Sequence, residues 1–293
     1  MDKFLNRHWT FSDNDSKEQF TVMQWNVLAD ALSQSSPTSN FYKTLPTALQ
    51  WDHRKGLILS EIQRSGADIV CLEEVDHYHD FLMPEMTKLG YDGLYASKPK
   101  SACLSFPGNN GPDGCALFYR KSVLTFMDKK EIRYTEGGRP SNQLALVLKL
   151  AFHERPFCVA VTHLKAKDFP TERLQQGQQL MAIVNQFAQG APIVVCGDFN
   201  ASPAEPVYQH MLSHNLASAY CIALKEEPSF TSWKFRPGKE LRYTIDYIWY
   251  SRDGLALSNV LGLPSAEDIG PDALPMLQYP SDHLALCAKF SLL

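Results

Sequence analysis

The stretch Pro-Ile-Val-Val-Cys-Gly-Asp-Phe-Asn (residues 192–200) is an apolar, β-branched run that breaks at Gly197, with Asp198 and Asn200 just behind it. A continuous apolar run of this length reads as a strand buried on both faces. A carboxylate and an amide at its exit would be fixed by a rigid element and open to a cleft, as catalytic groups often are. Taken alone, the pair fits an Asx turn closing the strand equally well. The residues around it separate the two readings.

Strand-like runs occur at 19–28, 67–75, 91–97, 114–120, 142–151, 157–164, 192–199, 243–251 and 284–292. Several alternate with period two, as Val22, Gln24 and Asn26 do against Met23, Trp25 and Val27. Helical patterns cover 51–65, 80–89, 170–189 and 203–214; the third carries Leu180, Met181, Val184, Phe187 and Ala188 on one face, with Gly190 just past its end. Nine strands and four helices exceed one doubly wound sheet, and the short turn between 142–151 and 157–164 implies antiparallel pairing. The expected fold is α/β: two mixed β-sheets packed as a sandwich, with helices on the outer faces. Loops 29–50, 99–113 and 261–281 hold much Pro, Ser and Asn and are expected to rim the cleft. Residues 1–18 read as an N-terminal extension and 19–293 as a single domain.

Composition narrows the function. The 293 residues are 44% hydrophobic and 20% charged, with net charge −4 and no long Lys/Arg run. Such a protein is not built to coat a nucleic-acid backbone, although a local basic pocket can still bind phosphate. The seven cysteines (71, 103, 115, 158, 196, 221, 287) lack any CxxC pair and sit mostly in apolar runs, as reduced core residues do. No stretch approaches membrane-spanning length, and the first twenty residues lack signal-peptide or transit-peptide character. A cytoplasmic or mitochondrial, monomeric protein with no membrane contact is the expectation.

Polar residues recur at strand ends: Asn26, Glu74, His163, Asp198, Asn200, Asp246 and Asp282-His283. Any one could be a satisfied core group or a turn residue. Their joint occurrence across an alternating α/β chain calls for a common explanation.

The ordered motifs WN (25–26), LEE (72–74), TH (162–163), GDFN (197–200), IDYIW (245–249) and SDH (281–283) make the chain resemble the endonuclease/exonuclease/phosphatase superfamily of magnesium-dependent phosphoesterases. Within it, MQWNVLA, EVDHY, NNGPDGCALF (109–118), VTHLKAK and YPSDHL resemble one branch, related to the poly(A)-specific deadenylases, whose activity is removal of the 2′-phosphate of NADP+ and NADPH. The resemblance implies a four-layer fold and Mg2+ at Glu74 with Asn26 as amide partner, Mn2+ being able to substitute. It further implies Asp198 orienting or deprotonating the attacking water, and Asn200 and His163 donating to phosphoryl oxygens. His283 would hold the transition-state oxyanion, with Asp246 fixing its tautomer; Asp282 would support the metal or the nucleophile. Phosphoester hydrolysis needs these services: charge neutralisation, an in-line water and a stabilised leaving oxygen.

Lys98, Lys165, Lys167 and Arg236 are then expected to gather around the phosphates of a dinucleotide, with Asn110 as a further substrate contact. Each alone reads as a solvated surface charge. A monoester carries more charge than a diester linkage, so convergent cations favour it. A 3′-exonuclease trimming poly(A) at the same site is the alternative, with RNA as partner in place of NADP(H). A catalytically inactive scaffold would have lost ligands, and here every expected position is filled. Two residues depart from the family pattern. Glu73 replaces the usual Gln, which would add a negative charge beside the metal ligand, and Lys167 stands where Arg is common.

Overall fold

The computed structural model describes residues 4–10, 18–34 and 41–293. One six-stranded sheet runs β13 (Leu255–Val260), β14 (Leu286–Leu292), β1 (Phe20–Asn26), β2 (Ile69–Val75), β4 (Gly114–Arg120), β3 (Tyr91–Ser97). The other runs β5 (Thr125–Glu136), β6 (Arg139–Phe152), β7 (Arg155–His163), β8 (Ile193–Asp198), β12 (Asp246–Ser251), β9 (Leu216–Ser218). A separate hairpin is formed by β10 (Ser232–Arg236) and β11 (Lys239–Tyr243). The longer helices are α2 (Trp51–Ser65), α4 (Pro170–Ala188) and α5 (Pro206–Ser213); α1 (Pro46–Leu49), α3 (Met83–Lys88), α6 (Ala219–Leu224) and α7 (Ala266–Ile269) are short. The two mixed sheets form the expected sandwich.

Period-two side-chain alternation builds its layers. Phe20 and Val22 of β1 and Cys71 of β2 meet Leu146, Val159 and Cys196 of the second sheet between the sheets. Met23, Trp25 and Leu72, one residue out of phase, face α2 and α3 through Ile58, Ile62 and Met86. On the far side, Val147, Ala160 and Val195 pack beneath Leu180, Met181 and Val184 of α4 and Met211 of α5. A one-residue slip of β1 would carry Gln24 and Asn26 from the intersheet face to the helix face, so burial fixes its register.

The pairing directions create the cleft. β1 runs parallel to β2, and β7 parallel to β8, with His163 opposite Asp198. β12 is antiparallel to β8 and starts where β8 ends, with Asp246 opposite Asp198. The exits of β1, β2, β7 and β8 and the entry of β12 therefore converge. Gly197 serves close approach here, since a Cβ on it would lie 2.2 Å from the Thr162 carbonyl oxygen.

The expected strands and the four helical regions are all present, with shifted ends and two corrections. The 243–251 run breaks between β11 and β12 at Thr244-Ile245, and the helix expected over 80–89 opens as a wide π-type turn at Tyr78–Leu82 before α3. Pro84 sits in the first turn of α3, where its missing N–H costs nothing. β5, β9, β10, β11 and β13 lie outside the expected strands. β5 is an exposed edge strand with Asp128, Lys129, Lys130 and Glu131 in sequence, charge that guards an edge and erases alternation. Of the N-terminal extension, residues 4–10 lie against the domain: Arg7 donates to Glu61 at 2.7 Å and to the Gly262 and Ala285 carbonyls. All seven cysteines are free thiols, and among the described residues no helix is long and apolar enough to cross a membrane.

Candidate active site

Asp198 answers the question its own turn posed. Its Oδ1 accepts from the Asn200 amide N–H at 2.8 Å, an Asx turn. Its Oδ2 faces the cleft and accepts from Asn26 Nδ2 at 3.0 Å, with His163 Nε2 at 3.5 Å and His283 Nε2 at 3.8 Å. The turn and the functional group are the same residue, each using one oxygen. Burial pushes the Asp198 carboxyl up to about 7, with Asp246 adding to the rise against the opposing pull of His283. A carboxyl poised there is suited to accept a proton near neutral pH.

His283 sits in the loop leading into β14. Its Nδ1–H donates to both oxygens of Asp246, at 3.1 and 3.0 Å. Thr231 fixes the acceptor: its hydroxyl donates to Asp246 Oδ2 at 2.6 Å, while its oxygen accepts from the Ile245 and Asp246 amides. Burial disfavours the imidazolium, but Asp246, Asp282 and Asp198 outweigh it and hold the ring pKa at about 10. The charged ring therefore presents an Nε2–H toward Asp198 and Asp282.

His163 is the opposite case. Burial, Lys98, His283 and Lys234 together push its pKa well below the ordinary value. Lys98 Nζ lies 3.3 Å from His163 Nδ1. An ammonium only donates, so Nδ1 accepts and the single ring proton sits on Nε2, facing the cleft. Two histidines thus offer N–H donors from opposite charge states.

Glu74 lies near the end of β2 with φ +55, at an irregularity of the β2–β4 pairing between Leu72 and Val75. Strained backbone of this kind is over-represented where a side chain must be re-aimed. Its Oε1 accepts from Asn26 Nδ2 at 3.1 Å and its Oε2 from the Ala29 amide at 3.2 Å. No Lys or Arg pairs with it within 4 Å among the described residues. A half-buried carboxylate without a paired cation, beside an amide and Asp198, is a hard-oxygen donor set that fits a magnesium ion. The ligand atoms of Asp198, Asp246 and His283 also lie within 4.8 Å of one another, close enough to hold a metal. That trio is the poorer seat, because His283 is charged and both Asp246 oxygens already accept hydrogen bonds.

Glu73 lies where burial disfavours its charge. It points between the sheets, wholly buried, where Gln24 Nε2 donates to its Oε2 at 2.9 Å. Burial, reinforced by Asp246, Asp198 and Cys71, pushes its pKa well above the ordinary carboxylate value, a shift toward the neutral acid. Glu73 Oε1 and Gln24 Oε1 are buried without a hydrogen-bond partner.

The cations divide into two groups. Lys98 lies against both His163 and Asp113, the latter at 2.7 Å. Lys234 of β10, which the sequence did not single out, forms an ion pair with Asp282 and adds its charge to that of Lys98 at His163. Asp282 is held below the usual carboxylate range, burial being outweighed by Lys234 and His283. The missed signal was position: Lys234 precedes Arg236 by two, on the same face of a β-strand.

The remaining cations are more exposed, and the charge of Arg236 acts on Lys234. Lys165 is paired with Glu136 at 2.6 Å, Lys167 is exposed with φ +71, and Arg236 is exposed at the end of β10. Asn110 contacts the His77 ring, 2.5 Å from Nε2, and Asn200 gives one amide hydrogen to the Leu164 carbonyl at 3.1 Å.

Comparison with known proteins agrees with this geometry. Residues 23–283 match the model of the Endonuclease/Exonuclease/phosphatase family. The chain is 45% identical to Nocturnin of Rattus norvegicus, over 95% of this chain and 67% of that protein. The solved human Nocturnin catalytic domain with bound sulfate superposes with TM-score 0.81 at 39% identity, covering 98% of this chain and 97% of that one. ANGEL2, a 2′,3′-cyclic phosphatase solved with adenosine-2′,3′-vanadate, gives TM-score 0.81 at 25% identity, covering 97% and 98%.

Proposed function

The chain belongs to the endonuclease/exonuclease/phosphatase family, in the branch that holds the nocturnins, and from that premise we propose a magnesium-dependent phosphatase that removes the 2′-phosphate of NADP+ and NADPH. The observation that carries the reading is the pair of cations on the buried centre. Lys98 and Lys234 flank His163 from different elements, and a terminal phosphate monoester rewards such convergence more than a diester does. ANGEL2, a structural relative, is a phosphatase crystallised with a 2′,3′-vanadate of adenosine, so ribose 2′ chemistry suits this fold.

Magnesium bound at Glu74, with Asn26 beside it, would neutralise charge on the phosphoryl oxygens. Asp198 takes a proton from the attacking water, its pKa near 7 matching neutral pH. The Nε2–H groups of neutral His163 and charged His283 donate to the oxygens on which charge builds, and Asp246 keeps the His283 ring in the donating tautomer. Lys98 holds His163 in its donating form.

A 3′-exonuclease acting on poly(A) is the competing reading, favoured by the exposed cations Lys167 and Arg236. The test is product analysis with Mg2+. Phosphate release from NADP+, lost with EDTA and in Glu74→Ala, supports the phosphatase; AMP from poly(A) with intact NADP+ would replace it with the exonuclease.

A further inference from the structure

Arg54 is a guanidinium with no access to solvent, three residues into α2 and close enough to Glu74 and Asp282 to feel their charge. Burying such a charge is costly unless its donors are used. Here Nε and Nη2 are spent on backbone, while Nη1 is buried without a hydrogen-bond partner. Nε donates to the Pro280 carbonyl at 2.8 Å; Nη2 donates to the Val27 carbonyl at 2.8 Å and to that of Leu28. These carbonyls lie in two loops, one just after Asn26 and the other just before Ser281-Asp282-His283.

Leu28 is the telling member. It adopts φ +60, a left-handed conformation that a bulky apolar residue rarely holds without support. Its amide N–H donates to Asn26 Oδ1 at 3.0 Å. With Oδ1 so engaged, the Asn26 Nδ2 group is turned toward Glu74 and Asp198. A chain of contacts therefore runs from Arg54 through the Leu28 peptide to the orientation of one catalytic amide. The same fork reaches the other loop, where Ser281 Oγ donates to the Asn26 carbonyl at 2.6 Å and accepts from the His283 amide at 3.1 Å.

We propose that Arg54 is a positioning residue for hydrolysis: its fork locks the loop after β1 to the loop before His283 and sets the Asn26 amide through Leu28. It touches no reacting atom. The proposal rests on the reading of Asn26, Glu74 and His283 as one hydrolytic centre, and not on which phosphoester is cleaved. Lysine is no substitute, because one ammonium cannot reach three carbonyls in the planar geometry of a guanidinium.

The experiment compares Arg54→Lys, Asn26→Ala and the double variant on whichever of NADP+ or poly(A) the wild-type protein hydrolyses, at a temperature where circular dichroism shows each folded. Arg54→Gln, uncharged and less costly to bury, is run alongside as the second arm should the lysine variant not fold. The expected result is a ~10–100-fold lower kcat with KM within about twofold, and a double variant no worse than Asn26→Ala alone, because coupled residues are not additive. Fold-losses that multiply, or an unchanged kcat with only a lowered Tm, would overturn the proposal. Wild-type inactivity on both substrates would instead count against the proposed function, so the two failures are distinguishable.

Discussion

The floor of the cleft and its rim are built on different principles. On the floor, Asp198, Asp246, His163 and His283 are all buried, and each is held by a strand end or by a hydrogen bond from a neighbouring strand. Around the rim, Lys165 is tied to Glu136 while Lys167, Arg236 and Asn110 are exposed, on loops or at an element's end. Sheet register dictates the floor: once β8 lies between β7 and β12, His163 and Asp246 must meet Asp198. No pairing dictates the rim. The floor carries the buried acid–base groups, and the rim carries exposed charge.

The comparison breaks most visibly at Asp246. Asp246→Asn keeps the shape but places an amide where two carboxylate oxygens now accept from His283 Nδ1–H. Loss of the correct tautomer in such a pair costs on the order of 10³–10⁴ in rate. We expect a fall in kcat of about that size, with KM little changed, in a phosphate-release assay. A loss under about tenfold would mean that Asp246 is only a structural acceptor.

Rim substitutions should act on affinity. Lys165→Ala is expected to raise KM about tenfold with kcat nearly intact, the signature of lost uniform binding. Lys167→Arg should lower KM a few-fold by restoring a bidentate donor. Equal losses in kcat and kcat/KM for Lys165→Ala would move that residue from rim to floor.

The same division explains what the sequence made legible. Asn26, Glu74, His163, Asp198, Asp246 and His283 stand out because each polar side chain interrupts or ends an apolar run, and strand ends are readable from periodicity. Lys234 escaped because β10 is a short hairpin strand without an apolar run to interrupt. Thr231 and Gln24 escaped because their importance lies in hydrogen bonds to Asp246 and Glu73, made across elements far apart in sequence. Charge is visible in a sequence, but the partner that occupies it is not: Lys98 is paired with Asp113 and Lys165 with Glu136. β5 was invisible because an exposed edge strand needs no alternation.

Glu73 sharpens the contrast from within the floor. By formal charge its replacement should matter greatly; its buried environment instead favours the neutral acid. Glu73→Gln is close to isosteric with the protonated acid. It should change kcat by less than about threefold and Tm by no more than about 3 °C. A large gain in activity would show that the residue is ionised at rest and repels the phosphoryl group.

The smallest effect belongs to the outer frame of the cleft, where His77 stacks on Trp51 with ring centroids 3.8 Å apart. Its Nδ1 lies 2.6 Å from Asp80 Oδ2, its Nε2 lies 3.9 Å from Asp30 Oδ2, and Asn110 meets the same ring. Burial lowers the imidazole pKa, but Asp30, Asp80 and Asp76 more than offset this and raise it above the ordinary value. The folded protein therefore holds this proton more tightly than the unfolded chain. The stability so gained is fully present below the unfolded value of about 6.5 and is lost as pH rises through the raised one. Subtracting the Tm of His77→Gln from that of the wild type should give a positive difference that is largest at about pH 6 and shrinks toward pH 9. A difference that grows with pH would mean that the ring is held neutral, and that packing on Trp51 rather than charge fixes this part of the frame.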